Sequence, residues 1–285
     1  MRRRVVSVAL LIGSCLLLAT CGSPDSAADK AKIAELQAEN DKLKAQLAAL
    51  QSNGAAAATN TASNSAAGTP APPPAFSDIG GIEGETHLKD LATLGVLDGT
   101  FSDKFDPRTP IKRADYVRWL VKTSAVYFPG DNKNRIRFAQ EGDTPTFVDV
   151  PATDANFKYI QGMANAGYVV GVDKTHFAPA QPLTREQMIG IKAQVDEGSS
   201  ISKYNGDIKG FLDYSDKYQI NDAYADAVHE DNTARTTHNI SRVWGNIKTF
   251  NPQKSVTRAE AAITLAELYD TKAADVVNKP KSQAR

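Results

Sequence analysis

A short phrase is written three times in this chain: Ile111-Lys112-Arg113-Ala114-Asp115, Leu183-Thr184-Arg185-Glu186-Gln187 and Val256-Thr257-Arg258-Ala259-Glu260. Its arginines stand 72 and 73 residues apart. A period that steady marks copies of one supersecondary unit, and such units bury their apolar faces by stacking on one another. The fold must therefore contain the same local structure three times and bring the copies together.

The residues around the phrase repeat as well. An aromatic and an acid open each unit: Phe76-Ser77-Asp78, Phe147-Val148-Asp149 and Phe211-Leu212-Asp213. In the first two units Leu88, Leu91 and Leu94, or Phe157, Ile160 and Met163, then fall on one helical face. Gly95 and Gly167 suit the left-handed stop of these helices. The loop Gly95-Val96-Leu97-Asp98-Gly99-Thr100-Phe101 is matched by Gly167-Tyr168-Val169-Val170-Gly171 and, further on, Phe177. The third copy offers Trp244-Gly245 and Thr249-Phe250-Asn251-Pro252. Its first helix is expected near Tyr224 to Val228, before a polar stretch with no counterpart in the other units.

The phrase itself starts a second helix. Thr257-Arg258-Ala259-Glu260 and Thr184-Arg185-Glu186-Gln187 have the form of a capping box, in which the threonine hydroxyl accepts from the helix start and Glu260 or Gln187 reaches back. Lys112 cannot cap, so unit one breaks the rule. Capping does not need the arginine, yet all three copies keep it. Arg113, Arg185 and Arg258 either stand beside exposed N-terminal N–H groups as an anion site, or pair with an acid of their own unit, Asp78, Asp149 or Asp213. Physical reasoning leaves both readings open.

The chain before the repeats has a different character. Met1 to Arg4 is basic and Val5 to Thr20 is apolar, which suits a secretory signal better than a membrane span. The run ends Leu18-Ala19-Thr20-Cys21-Gly22-Ser23, which resembles a bacterial lipobox with Cys21 as the acylated residue. Cys15 and Cys21 are the only cysteines, so the folded part has no disulfide and no cysteine ligand or nucleophile. Residues 30–51 read as one helix with Ile33, Asn40 and Leu47 at a positions and Leu36, Leu43 and Leu50 at d, a short coiled coil able to self-associate. It resembles the stalks of murein-type lipoproteins. The Ala/Ser/Pro-rich stretch that follows can only be a linker.

Removing residues 1–20 leaves 30 Lys+Arg against 33 Asp+Glu, a net charge of −3. That argues against a nucleic-acid binder, which would need a basic footprint. His87, His176, His229 and His238 form no metal-ligand pattern, and no carboxylate pair has the spacing glycoside hydrolysis requires. No catalytic residue, metal or cofactor is expected. Trp119 shares a helix face with Tyr116 and Leu120, which predicts core packing; Trp244 suits either packing or stacking on a ligand.

The order Phe-x-Asp, helix, Gly-x-x-x-Gly, Phe, then Thr-Arg-Ala-Glu with an apolar helix resembles the S-layer homology domain across about residues 76–270. The resemblance implies a mainly α fold, three helical repeats in a pseudo-threefold bundle with ligand grooves between them. The full division is then a signal peptide (1–20), a lipid-anchored tether (21–29), the coiled-coil helix (30–51), a disordered linker (52–75), repeat 1 (76–123), an insertion (124–145), repeat 2 (146–196), a connector (197–210), repeat 3 (211–270) and a disordered tail (271–285). It also implies binding of secondary cell-wall polysaccharide or peptidoglycan, often pyruvylated, with Arg113, Arg185 and Arg258 contacting the anionic sugar and Gly99 and Gly171 letting backbone approach it. Members often carry a Trp early in the first helix, where this chain has Glu83 and Ala155. The expected protein is a non-catalytic envelope lipoprotein, lipid-anchored on the periplasmic face of the outer membrane. The alternative is a protein–protein adaptor built on degenerate repeats.

Overall fold

The computed structural model describes residues 76–99, 103–130, 133–198, 201–234 and 238–279. All of them fall in one compact unit, Pro70–Arg285. Cys21, the stalk helix and the linker lie outside the described residues. Helices dominate: α1 (Glu85–Thr93), α2 (Arg113–Tyr127), α3 (Phe157–Asn165), α4 (Arg185–Glu197), α5 (Asp222–Thr233), α6 (Asn239–Trp244), α7 (Arg258–Leu265) and α8 (Ala273–Asn278). A two-residue pair, β1 (Glu267–Leu268) and β2 (Thr271–Lys272), is antiparallel with Leu268 opposite Thr271. None of the described helices is long and apolar enough to cross a membrane.

The three units meet at the residue that opens each phrase. Ile111 N–H donates to Val256 O at 2.9 Å, Val256 N–H to Leu183 O at 2.8 Å, and Leu183 N–H to Ile111 O at 2.9 Å. Their side chains are buried. Extended backbone leading into a helix carries polar groups that the helix cannot satisfy, and burial demands a partner for them. Three copies supply one another's partners, so the ring closes without a free edge. This is the pseudo-threefold centre.

A second device fixes each unit from within. The Asp78 carboxylate accepts the N–H groups of Phe105 and Asp106, both at 2.8 Å. Asp149 does the same for Phe177 and Ala178 at 2.9 and 2.8 Å. Asp216 does so for Phe250 and Asn251 at 2.8 and 2.6 Å. The second residue of each pair is left-handed: Asp106, Ala178 and Asn251 have φ of 53°, 60° and 54°. That conformation costs an L-residue roughly 1–2 kcal/mol, which the carboxylate clamp offsets. Pro107, Pro179 and Pro252 follow and prevent the turn from continuing as strand.

The clamp corrects two expectations. Unit three opens on Tyr214-Ser215-Asp216, not on Phe211-Leu212-Asp213: Tyr214 is buried against Phe250 with ring centroids 5.4 Å apart, whereas Phe211 is 64% exposed. The unit-one counterpart of Phe177 is Phe105, not Phe101. Phe105 sits 5.2 Å from Phe76, as Phe177 sits 5.5 Å from Phe147.

Each first helix ends on a left-handed glycine. Gly95 and Gly167 have φ of 67° and 75°, and Val96 N–H and Tyr168 N–H return to Leu91 O and Met163 O at 3.0 and 2.9 Å, the Schellman closure. In unit three the corresponding helix is α6, stopped at Gly245 (φ 69°). The helix expected near Tyr224 is α5, an addition with no counterpart in the other units. It packs along α4 and hands over to α6 through Asp231. That buried carboxylate accepts Asn239 N–H and Ile240 N–H at 3.0 and 2.9 Å. Burial pushes Asp231 above the usual carboxylate range, against the pull of those bonds. Asn239 also bonds Asp196, which holds the fully buried Lys192 at 2.5 Å.

Two segments expected to be peripheral are built in. The 124–145 insertion begins inside α2, and Ser124 Oγ accepts Ile136 N–H at 2.8 Å to pin the buried Ile136. Residues 271–279, expected as tail, form β2 and α8, and α8 packs on α1. Ala273 is buried and its N–H donates to Ala266 O at 2.8 Å. The turn holds because Leu268 and Ala273 are apolar enough to bury in an otherwise polar stretch. Residues 280–285 lie outside the described residues.

Candidate functional site

Each repeated arginine is the first residue of its helix, and its side chain crosses to the next unit. Arg113 Nε donates to Phe177 O at 2.8 Å, Arg185 Nη1 to Phe250 O at 2.9 Å, and Arg258 Nη1 to Phe105 O at 2.8 Å. The acceptor each time is the clamped aromatic. The cycle runs unit one to two, two to three, three to one. Neither sequence reading foresaw this partner: it is a carbonyl of the neighbouring unit, not an acid of the same one.

The helix starts are occupied in the same cyclic way. The N–H groups of Arg113, Arg185 and Arg258 donate to Gln181, Lys254 and Thr109 carbonyls at 3.0, 3.0 and 2.9 Å. The next N–H groups, of Ala114, Glu186 and Ala259, donate to Pro179, Pro252 and Pro107. Backbone carbonyls thus take the first two donors of each helix. Any anion-binding capacity at these interfaces rests on side-chain cations.

The three interfaces then diverge. Beside Arg258 lies a cleft of 480 Å³ lined by Asp98, Gly99, Lys112, Arg118 and Trp119. Arg258 is a quarter exposed there and stands 3.6 Å from Asp106. Arg118 is held by Asp98 and Asp115, each at 2.8 Å, and donates to Asn156 at 2.8 Å. Lys122 adds a 3.0 Å contact to Asp98. Burial raises the Asp98 carboxyl, but Arg118 and Lys122 outweigh it and hold it below its ordinary value. The exposed Lys112 side chain makes no hydrogen bond or ion pair among the described residues. Its helix has no side-chain cap, as expected; the position instead offers an ammonium to the cleft. Trp119 forms the floor, stacked on Phe105 at 5.9 Å with its indole N–H on Asp98 O. It is a core residue, as its helix face predicts.

Beside Arg185 lies a larger cleft of 730 Å³, lined in part by Glu83, Arg108, Trp244, Glu260 and Ile263. The guanidinium lies over the Trp244 ring, 4.2 Å from its centroid. Trp244 Nε1 donates to Glu260 Oε1 at 2.6 Å. Glu260 also completes the predicted capping box, accepting Thr257 N–H at 2.7 Å while its own N–H reaches Thr257 Oγ1 at 3.2 Å. One carboxylate therefore caps a helix and orients an aromatic wall. In unit two the return bond is present, from Thr184 N–H to Gln187 Oε1 at 3.2 Å. Burial lowers the Arg185 pKa, partly countered by Glu260 and Asp216.

Arg113 is different again. It is 1% exposed, donates also to Val170 O at 3.2 Å, and stacks 4.6 Å from the Phe177 centroid. Burial lowers the Arg113 pKa, and its Nη1 has no hydrogen-bond partner among the described residues. Nearby, Gly171 makes room for its own loop: a Cβ there would meet Asp173 O and His176 O at 2.3 Å. No group of acids, histidines and cysteines among the described residues could hold a metal ion.

Phe105, Tyr214, Asp216 and Lys112 were missed as site-forming residues. For Phe105 a signal existed. Phe105-Asp106-Pro107, Phe177-Ala178-Pro179 and Phe250-Asn251-Pro252 each begin eight residues before an arginine.

The geometry is a closed ring of three helical units, strutted by one arginine per interface. Residues 75–117, 146–189 and 248–262 match the model of the S-layer homology domain. α5 lies between the second and third matches. A curated relative is the surface-layer 125 kDa protein of Lysinibacillus sphaericus, 26% identical over 200 residues, 68% of this chain. The match covers 15% of that protein's length.

Proposed function

We propose that this chain is a non-catalytic cell-envelope protein whose repeat module binds anionic, pyruvylated polysaccharide linked to peptidoglycan. The observation that carries this reading is the placing of Arg258 and Arg185 at the mouths of two clefts between repeats, of 480 and 730 Å³. A guanidinium at such a mouth can meet a carboxylate through paired N–H donors. Lys112 adds charge to the first cleft and Trp244 an aromatic wall to the second. Gly99 leaves backbone accessible beside Arg258. The S-layer homology match and the surface-layer relative support the same class of partner.

In this reading a lipid at Cys21 holds one end in the membrane, with the outer membrane as its destination. The 30–51 helix pairs copies, and the linker spans the gap to the wall. Two weak clefts on each of two paired chains would gain by avidity. The test is co-sedimentation of the full chain with purified wall sacculi before and after chemical removal of pyruvate. The reading requires pelleting with the first and loss of most of it with the second. Equal pelleting with both would remove the anionic sugar from the account.

A further inference from the structure

We propose that the cleft between the 133–143 segment and α3 is a further binding site, for a carboxylate-bearing sugar, outside the three repeat interfaces. It rests on the wall-binding reading only for the polymer in which such a sugar would stand.

The cleft measures 680 Å³, and Arg135, Arg137, Gln140, Asp143, Asn165 and Tyr168 are among the residues that line it. That volume suits a small ligand. None of the strut arginines borders it. Its cations come from the insertion, which lies between the first and second family matches, 75–117 and 146–189. Ile136 is buried, while Arg135 and Arg137 on either side of it reach the surface. Neither arginine makes a hydrogen bond or ion pair among the described residues. Two guanidinium groups in one cleft can take a carboxylate through paired N–H bonds.

The segment that presents them is tied down. Ser124 Oγ accepts Ile136 N–H at 2.8 Å, and Ala139 N–H donates to Lys158 O at 2.9 Å. Gly162 of α3 lets the segment lie close, since an added Cβ would meet Arg137 O at 2.2 Å. Chain fixed beforehand removes an ordering cost from binding. The remaining polar groups suit hydroxyls. Asp143 Oδ2 accepts Gln140 N–H and an Asn165 Nδ2 hydrogen, both at 2.9 Å. Asp143 Oδ1 accepts no bond among the described residues and is left for a hydroxyl. A carboxylate in the same cleft repels a phosphate dianion more than a monoanion. A sugar acid brings one negative charge for the arginines and hydroxyls for Asp143.

The experiment is a nuclear magnetic resonance titration of the isotope-labelled full chain with methyl glucuronide, reading the side-chain amides of Gln140 and Asn165. The glucuronide should shift both. Methyl glucoside, which lacks the carboxylate, should bind about fivefold more weakly or worse. The Arg135→Gln, Arg137→Gln double variant should lose about as much. Neither guanidinium has a partner to lose, so this variant should melt as the native chain does. Arg185→Gln with Arg258→Gln, which removes charge from the repeat clefts, should leave the titration unchanged. Still amides, equal binding of the glucoside, or native binding in the Arg135, Arg137 variant would each overturn the site. Tighter binding of inorganic phosphate at the same amides would overturn its assignment to a sugar acid. Failure of the native chain to pellet with wall sacculi, beside a titration that behaves as expected, would defeat the wall-binding reading and leave this cleft standing.

Discussion

The Arg258 guanidinium donates to the Phe105 carbonyl at 2.8 Å across 153 residues of sequence. This contact closes the ring that Arg113 to Phe177 and Arg185 to Phe250 leave open. A charged donor on a partly buried carbonyl contributes roughly 1.5–3 kcal/mol. Arg258→Ala should destabilise the chain by about that amount in urea unfolding. Arg258→Gln, which can still donate to Phe105, should cost less than half as much.

The clamp of unit three separates two aspartates that look alike in sequence. Asp216→Ala strands two backbone N–H groups and should cost about 3 kcal/mol. Asp213→Ala, at an exposed position, should stay within about 0.5 kcal/mol of native. Urea midpoints of the two variants check this, and equal losses would return the motif to Phe211-Leu212-Asp213.

Lys112 exchanges a cap for a charge. Lys112→Thr should stabilise the chain by about 0.5–1 kcal/mol through the restored cap. It should also weaken pelleting with wall material. Thr257→Ala, which removes a working cap, should cost about 1 kcal/mol. Thermal melts and wall pelleting on the same samples provide both readings.

Asp98 sets part of the acid limit. Its folded carboxyl lies below its ordinary value, so the unfolded chain binds more protons between the two values. Stability from this group is complete above the ordinary carboxylate range and is lost as pH falls through the lowered one. Asp98→Asn should flatten that part of the stability profile below the ordinary carboxylate range. A profile as steep as native would show that Asp98 does not contribute.

Truncation after Asp270 removes β2 and α8. Because α8 packs on α1, the melting temperature should fall by several degrees. An unchanged melt would mark residues 271–285 as a tail after all.

The repeat, the helix-stopping glycines and the Thr257–Glu260 box were legible because each depends on residues close in sequence. The cyclic struts were not, since nothing local in Arg113 points to Phe177, 64 residues away. Unit three misled at Phe211 because residue identity favoured phenylalanine, while the fold selects the acid whose carboxylate can reach Phe250 and Asn251. The polar composition after Thr271 hid the burial of Ala273, whose N–H returns to Ala266 O.

The central claim is that charge on Arg185 and Arg258, beyond their strut bonds, recognises the wall polymer. The direct measurement is the affinity of the Arg185→Gln, Arg258→Gln double variant for purified pyruvylated wall polysaccharide, with folding verified by circular dichroism. We predict a loss of at least tenfold relative to the native chain, since the glutamines retain a donor for the struts but no cation. Native affinity in a folded double variant would contradict the account and leave the arginines as struts alone.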